Sequence, residues 1–233
     1  MTFSFAEQKN FDKHIRDSIP GYNVLTTDVA KLAESFIEPD TCVLDIGCTS
    51  GKMLFELQQK AEIYAHYIGI DIVQTDEWKK MQKTFTGQSA QQNLGKLEYL
   101  QQPVQEYLKS GRQHSVIISL FTLQFIPITQ RRKVLEDIRS ELTQDAAFIF
   151  AEKVYSENSK VQDCLTFMHY DFKRQNFTEE EILKKEKELR SHMRLLTIGQ
   201  IKASLTEAGF KSCDTFWQHN NFVGFIAQSA LKA

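Results

Sequence analysis

Short apolar runs separated by helical patterns are the feature that most restricts the fold of this chain. Near-continuous apolar runs, typical of strands covered on both faces, occupy residues 41–46, 63–70 and 115–120. Two shorter runs occur at 97–100 and 146–151. Helical patterns separate the five runs, at 51–59, 76–83, 104–109 and 130–142. Repeated strand–helix units require right-handed crossovers, so the sequence predicts a doubly wound α/β fold with a mostly parallel sheet.

The ends of the chain add further elements to this core. Residues 5–37 predict two helices joined by a turn at Pro20-Gly21-Tyr22, and residues 157–194 predict a long, highly charged helical insertion. A short helix at 198–208 ends at Gly209, a typical residue for a helix C-terminus. Two final strands, at 212–217 and 221–227, are joined too closely for a crossover, so they are expected to pair antiparallel.

These elements predict one domain. The expected arrangement spans residues 1–233, with a seven-stranded sheet, N-terminal helices at 1–38 and the helical insertion at 155–196, before the last two strands.

Composition argues against several classes of protein. The net charge of −2 gives no general attraction to nucleic acid, and no basic stripe with interleaved aromatic residues is present. No apolar run approaches the ~20 residues that cross a bilayer, and residues 1–10 do not resemble a signal peptide. The four cysteines have no metal-ligand spacing. The sequence therefore predicts a cytoplasmic protein with reduced thiols, no metal, no membrane partner and no direct nucleic-acid binding.

A turn of small residues, D-I-G-C-T-S-G at 45–51, follows the first predicted strand. In open α/β sheets, ligands bind beyond the carboxyl ends of the strands, and Gly47 and Gly51 permit close approach to the main chain. The turn lacks the dinucleotide pattern G-x-G-x-x-G and is not a phosphate-binding Walker loop. Asp71 ends the second strand, about 20 positions further on, where a carboxylate can accept hydrogen bonds from ribose hydroxyls. The pair indicates a nucleoside site.

V-L-D-I-G-C-T-S-G resembles motif I of the class I S-adenosylmethionine-dependent methyltransferases, with Thr49 in place of the middle glycine. A more specific resemblance covers nearly the whole chain. The segments at 20–22, 121–126, 151–153, 168–174 and 208–210 are similar in order and spacing to those of carboxy-S-adenosylmethionine synthases. Those enzymes use S-adenosylmethionine and prephenate, and their product serves the modification of wobble uridine in bacterial tRNA.

The resemblance implies a Rossmann-like fold, S-adenosyl-L-methionine as cofactor, a homodimer and a set of site residues. The expected cofactor-binding residues are Tyr22, Asp45, Gly47, Cys48, Thr49, Gly51, Asp71, Ile72, Val104 and Leu120. The expected residues of a pocket for a small-molecule acceptor or cosubstrate are Phe121, Gln124, His169, Tyr170, Arg174 and Glu186. No catalytic residue is predicted, because methyl transfer mainly requires alignment of donor and acceptor and exclusion of water.

Three positions depart from the synthase pattern. Pro103 replaces an acidic residue, Leu120 replaces an asparagine, and Glu186 replaces the arginine that grips the carboxylate of the carboxymethyl group. That arginine would contribute roughly 1.5–3 kcal/mol, whereas a glutamate would repel the group. The sequence therefore favours a methyltransferase with an unidentified acceptor. A divergent synthase, with Lys185 or Lys187 as the cation, and a non-catalytic binding protein remain as alternatives.

Overall fold

One seven-stranded sheet organises the computed structural model, which describes residues 11–61, 63–80 and 95–229. Its strands are β1 (Cys42–Ile46), β2 (His66–Asp71), β3 (Leu97–Gln101), β4 (His114–Leu120), β5 (Leu142–Lys153), β6 (Ser212–His219) and β7 (Phe222–Gln228). The spatial order is β3–β2–β1–β4–β5–β7–β6. Strands β1 to β5 pair in parallel, and β7 pairs antiparallel with both β5 and β6. The predicted doubly wound sheet and its antiparallel final pair are confirmed.

The α-helices with both ends described are α1 (Phe11–Ser18), α2 (Tyr22–Glu34), α3 (Lys52–Ala61), α4 (Val104–Tyr107), α5 (Ile128–Glu141), α6 (Ser159–Lys173), α7 (Glu179–His192) and α8 (Ile198–Glu207), and Leu123–Phe125 forms a 3-10 turn. Thr178 and Thr197 cap α7 and α8 by accepting a hydrogen bond from the backbone three residues on. The expected insertion is therefore two capped helices, α6 and α7.

Some predicted boundaries differ from the structure. Leu142, expected to end a helix, begins strand β5, which is longer than the predicted 146–151 because it continues to the bulge opposite His114. Of the helix predicted at 76–83, residues 76–80 are helical, and 81–83 lie outside the described residues. Residues 5–10 of the first predicted helix also lie outside them.

Both faces of the sheet are covered. Adjacent residues of one strand belong to different core clusters: Val43 and Val116 pack with α2 and α3, while Leu44 and Ile117 pack with α5 and α8. Side chains alternate across a strand, so these clusters lie on opposite faces. Burial on both faces explains why the central strands read as continuous apolar runs.

The strand order reverses at β1. From β1 the chain proceeds outward to β2 and β3, then returns to place β4 on the other side of β1. Such a switch point leaves a crevice beyond the carboxyl ends of the strands. Here that crevice is bounded by the turn after β1, by Asp71 at the end of β2 and by Phe121 after β4.

Gly51 provides a test of how the turn after β1 is packed. Its backbone is left-handed (φ 76°), and an added Cβ would lie 2.4 Å from the ring of Tyr99, whose hydroxyl donates to the Gly51 carbonyl at 2.8 Å. Gly111 is also left-handed but has open space around it. In urea denaturation, Gly111→Ala should lower the free energy of unfolding by about 1–2 kcal/mol, the cost of the backbone conformation alone. Gly51→Ala should lose about 1–3 kcal/mol more, from displaced packing. Equal losses would contradict this account of the turn.

Candidate functional site

A cavity of about 680 Å³ occupies the crevice at the carboxyl ends of β1, β2 and β4. Further lining residues come from α1, α2, the turn after β1, α3, α6 and α7, from the end of β5 and from the start of β7. The N-terminal helices and the helical insertion both reach the carboxyl ends of these strands. One side of the cavity is therefore formed by the sheet, and the other side is formed by helices that lie outside the α/β core. The volume is sufficient for a nucleoside ligand and a second small molecule.

The carboxylate of Asp71 is held by backbone donors at one side of the cavity. Thr49 N–H donates to Asp71 Oδ2 and Val73 N–H donates to Oδ1, both at 3.0 Å. Burial raises the pKa of Asp71, although these backbone hydrogen bonds oppose that shift. The carboxylate is thereby fixed in orientation at the edge of the cavity.

The loops after β1 and β4 press against each other. A Cβ on Gly47 (φ 78°) would lie 2.0 Å from Thr122 Oγ1, so only glycine fits there. Thr49 (φ 45°) and Phe121 (φ 58°) adopt left-handed conformations that non-glycine residues rarely take. Strained conformations of this kind persist only where the surrounding structure holds them in place, and they are concentrated at ligand sites.

Asp45 and Cys48 are the buried titratable groups of the turn. Asp45 is 4% exposed, and its pKa is raised to about 7 by burial and by the nearby charge of Asp71. Burial raises the pKa of Cys48 well above its ordinary value, so the thiol stays protonated and is a poor nucleophile.

Aromatic rings line the cavity between the sheet and α6. Phe121 lies 6.4 Å from the Tyr22 ring and 5.8 Å from the Phe222 ring, between centroids. His169 packs edge-on against Phe222 at 5.0 Å, and its Nε2 donates to the Ser18 carbonyl at 2.9 Å. Burial and the nearby lysines lower the pKa of His169 to about 3, so it is a neutral packing residue.

A basic cluster, defined as Lys153, Lys173, Lys185 and Glu186, lies on the insertion side of the same cavity. Lys153 Nζ pairs with Glu186 Oε1 at 3.4 Å, and Lys185 pairs with Glu188 at 3.7 Å. Burial lowers the pKa of Lys153, and it lowers that of Lys173 to about 8. The backbone N–H of Lys153 donates to Gln124 Oε1, which fixes the end of β5.

The structure brings most of the predicted site residues to this cavity. Those that line it are Tyr22, Asp45, Gly47, Cys48, Thr49, Asp71, Ile72, Leu120, Phe121, Gln124, His169 and Glu186. Four others are not among the lining residues: Gly51, Val104, Tyr170 and Arg174. Gly51 packs against Tyr99, Val104 is in the core, and Arg174 pairs with Asp171 and Glu179.

Several residues that line the cavity were not predicted from the sequence. Lys153 and Lys173 lie in the segments 151–153 and 168–174 that carry the family resemblance, which is the signal that marks them. Asp12 and His14 of α1 have no such signal. Asp12 Oδ1 accepts a hydrogen bond from Ser50 Oγ at 3.0 Å, a contact made only when α1 folds over the turn.

The fold and the site define a methyltransferase-type enzyme. Residues 43–145 match the methyltransferase domain family. The magnesium protoporphyrin IX methyltransferase of Synechocystis, solved with bound S-adenosylmethionine, has the same fold: its TM-score is 0.58 at 16% identity, over 95% of this chain and 85% of that one.

Relatives that match over nearly their whole length identify the family within this class of enzyme. A carboxy-S-adenosyl-L-methionine synthase of Staphylococcus epidermidis is 33% identical over 97% of this chain and 96% of its own length. One from Nautilia profundicola is 28% identical, over 97% and 94%. The chain belongs to the carboxy-S-adenosyl-L-methionine synthase family of S-adenosylmethionine-dependent transferases. This confirms the predicted family, enzyme class and S-adenosyl-L-methionine cofactor.

None of the helices in the described ranges is long and apolar enough to cross a membrane. Within the same ranges, no group of three or more histidine, cysteine or acidic side chains has the arrangement of a metal site.

The raised pKa of Asp45 predicts a pH-dependent stability. The unfolded chain ionises Asp45 near its ordinary pKa of 3.8, whereas the folded protein does so near 7, so this residue's contribution to stability is lost as pH rises between those values. Asp45→Asn should therefore raise the free energy of unfolding by an amount that grows from about pH 5 to about pH 8, reaching on the order of 2–4 kcal/mol.

Urea denaturation of the wild type and Asp45→Asn at both pH values checks this prediction. The comparison isolates Asp45, because burial also raises the pKa of Glu141 and of Glu152 to about 7 in both proteins. Asp76→Asn, at a residue whose side chain is 84% exposed, is the matched control and should show no such trend. A pH-independent difference between the wild type and Asp45→Asn would contradict the assignment.

Proposed function

We propose that this protein transfers the methyl group of S-adenosyl-L-methionine to a small-molecule acceptor, with donor and acceptor bound in the one cavity at the carboxyl edge of the sheet. The observation that supports this most strongly is the two-part lining. Asp45, Asp71 and the glycine turn lie at one side, and the basic cluster of the insertion lies at the other. A donor site and an acceptor site thus open into each other.

The residues at the glycine turn suit the donor. Asp71 offers fixed carboxylate oxygens to the two ribose hydroxyls, and the backbone around Gly47 and Thr49 permits close approach of the methionine part. The faces of Tyr22 and Phe121 can attract a positively charged sulfonium. Asp45 provides a further anionic group, since a nearby cation would favour its ionised form.

The chemistry requires little from side chains. When bound, S-adenosyl-L-methionine supplies a methyl carbon activated by the adjacent positive sulfur. The protein's part is to orient the two reactants and to exclude water. The aromatic residues Phe121 and Phe222, both buried, provide an apolar boundary between the two halves of the cavity. Leu120, the neighbour of Phe121 in the chain, lines the same cavity.

A second candidate is carboxy-S-adenosyl-L-methionine synthesis, with prephenate as cosubstrate and a role in tRNA wobble-uridine modification. Two observations favour it: the activity for which the full-length relatives are named, and the pairing of Glu186 with Lys153. The pairing cancels the charge of Glu186, which otherwise would repel a carboxylate. A non-catalytic, ligand-binding role is the third alternative.

Product analysis separates these functions. Purified protein is incubated with S-adenosyl-L-methionine, with or without prephenate or a metabolite extract, and the nucleosides are identified by mass spectrometry. We expect S-adenosylhomocysteine to form with the extract, and no carboxylated nucleoside to form with prephenate. A carboxylated product would establish the synthase instead. Absence of any bound or converted nucleoside would favour the non-catalytic role.

The donor assignment is checked in the same preparation by titration calorimetry with S-adenosylhomocysteine. Asp71→Asn should weaken binding roughly tenfold or more, because one charge-assisted hydrogen bond to the ribose is lost. Asp76→Asn, five residues along and exposed, should bind like the wild type. Equal affinity in all three proteins would remove Asp71 from the donor site.

We further propose that the protein is a cytoplasmic homodimer. The four cysteines are unpaired, as expected for a reducing compartment. The outer face of α6 carries an exposed apolar stripe, formed by Val161, Cys164, Phe167 and Met168. Residues at this spacing share one helix face, and a contiguous exposed apolar patch is typical of an interface. A second copy of the chain can cover it.

The stripe on α6 gives a direct test of the dimer. Phe167 is 63% exposed, so Phe167→Glu should cost little folding stability but should convert the dimer to a monomer in sedimentation velocity at micromolar concentration. Val24→Glu, at an apolar residue of α2 that is 57% exposed, is the matched control and should remain dimeric. A monomeric wild type, or a dimeric Phe167→Glu, would contradict the proposed interface.

A further inference from the structure

Arg131, in the first turn of α5, is a buried arginine whose guanidinium contacts three separate segments of the chain. The residue is 4% exposed and is not among those that line the cavity. Its Nη2 donates to the Arg194 carbonyl at 2.9 Å and to the Ile126 carbonyl at 3.5 Å, and its Nη1 lies 3.6 Å from Glu152 Oε2. One planar side chain thus joins the segment after α7, the loop after β4 and strand β5.

The segment after α7 is fixed at both backbone groups of Arg194. Its N–H donates to the Gln124 carbonyl at 2.7 Å, and its own carbonyl accepts from Arg131. Two residues further on, the Leu196 carbonyl accepts from Tyr155 N–H at 3.0 Å. The Arg131 contact is made by a charged donor, and such hydrogen bonds are roughly twice as strong as neutral ones. It therefore dominates the attachment of the insertion to the core at this point.

The carbonyls that Arg131 holds directly follow residues of the cavity. Arg194 follows Met193, which lines the cavity beyond the C-terminal end of α7. Ile126 follows Phe125, which lines the cavity in the loop after β4. A shift of either carbonyl would therefore move a part of the cavity wall, although Arg131 itself does not reach the cavity.

The ion pair with Glu152 does not by itself account for Arg131. Glu152 is 2% exposed, and burial raises its pKa to about 7, although the charge of Arg131 opposes that shift. The separation of 3.6 Å is longer than a hydrogen bond. Apolar residues of similar volume often replace a buried pair of this kind without loss of stability. The specific feature of Arg131 is its contact with the backbone of the insertion.

We propose that Arg131 is a positioning residue, which sets the place of the C-terminal end of α7 by holding the Arg194 carbonyl beside the loop after β4. It thereby shapes the acceptor wall, which we define as Glu186, Leu189, His192 and Met193. This inference rests on the proposed function, because it assigns the insertion side of the cavity to the second substrate. The donor side depends on other contacts, such as that of Thr49 with Asp71.

Hydrogen exchange with mass spectrometry tests the positioning on the full-length protein without any substrate. The variant combines Arg131→Met with Glu152→Met, which keeps a similar volume and leaves no buried charge unpaired. Amides of residues 193–197 should exchange roughly tenfold faster or more than in the wild type, because a charge-assisted hydrogen bond is lost. Amides of β1 and β4 should exchange as in the wild type.

Two single variants are the matched controls. Glu152→Gln retains the contact of Arg131 with the Arg194 carbonyl, so residues 193–197 should exchange as in the wild type. Arg132→Met removes the next residue of the helix, whose side chain is 66% exposed, and should also have no effect. Unchanged exchange at 193–197 in the double variant would overturn the proposal. Faster exchange throughout the chain would also overturn it, since Arg131 would then only stabilise the fold.

Turnover and donor binding test the consequence for the site. The assay uses S-adenosyl-L-methionine with the metabolite extract or with prephenate, whichever supports turnover. The double variant should lower kcat/KM for that co-reactant roughly tenfold or more, because a displacement of about 1 Å is sufficient for such a loss. Its dissociation constant for S-adenosylhomocysteine should equal that of the wild type. An equal loss in both quantities, or a loss in neither, would contradict the proposal.

Failure of the proposed function gives a different result. In that case the wild type itself shows no turnover with either co-reactant. The exchange measurement needs no substrate, so it still decides whether Arg131 positions the end of α7.

Discussion

The hydrogen bond from Thr49 N–H to the Asp71 carboxylate is the contact on which the geometry of the site depends. It joins the turn after β1 to the end of β2 across a distance of 22 residues in the chain. Thr75 Oγ1 adds a second link by donating to the Thr49 carbonyl. Because Thr49 is held in a left-handed conformation, the bond also stabilises a backbone that threonine would otherwise avoid. The orientation of the Asp71 carboxylate and the conformation of the turn after β1 therefore depend on each other.

Charge in the second half of the cavity is balanced differently. There the stabilising contact is the Lys153–Glu186 pair, in which each side chain is largely buried. Removing one partner of such a pair leaves a desolvated charge, so the two residues act as a unit. This pair changes the significance of Glu186. Considered alone, Glu186 reverses the charge of an arginine, whereas beside Lys153 its charge is neutralised.

Much of the fold follows from local pattern. Continuous apolar runs predicted the central strands because both faces of the sheet are buried, and the short 218–220 connection predicted the antiparallel final pair. Prediction was weakest where tertiary contacts set a boundary. Leu142 continues a helical pattern along the sequence, yet it pairs with His114 as the first residue of β5.

The sequence by itself determined the fold class, the position of the glycine turn, the acid at the end of β2 and the family, since these depend on spacing along the chain. Tertiary structure alone decided which side chains meet across the cavity. Lys153, Lys173 and Glu186 come from β5, α6 and α7, so no local pattern reveals that they share one cavity. The reason is physical: burial and charge pairing depend on neighbours that are distant in sequence and close only in the folded chain.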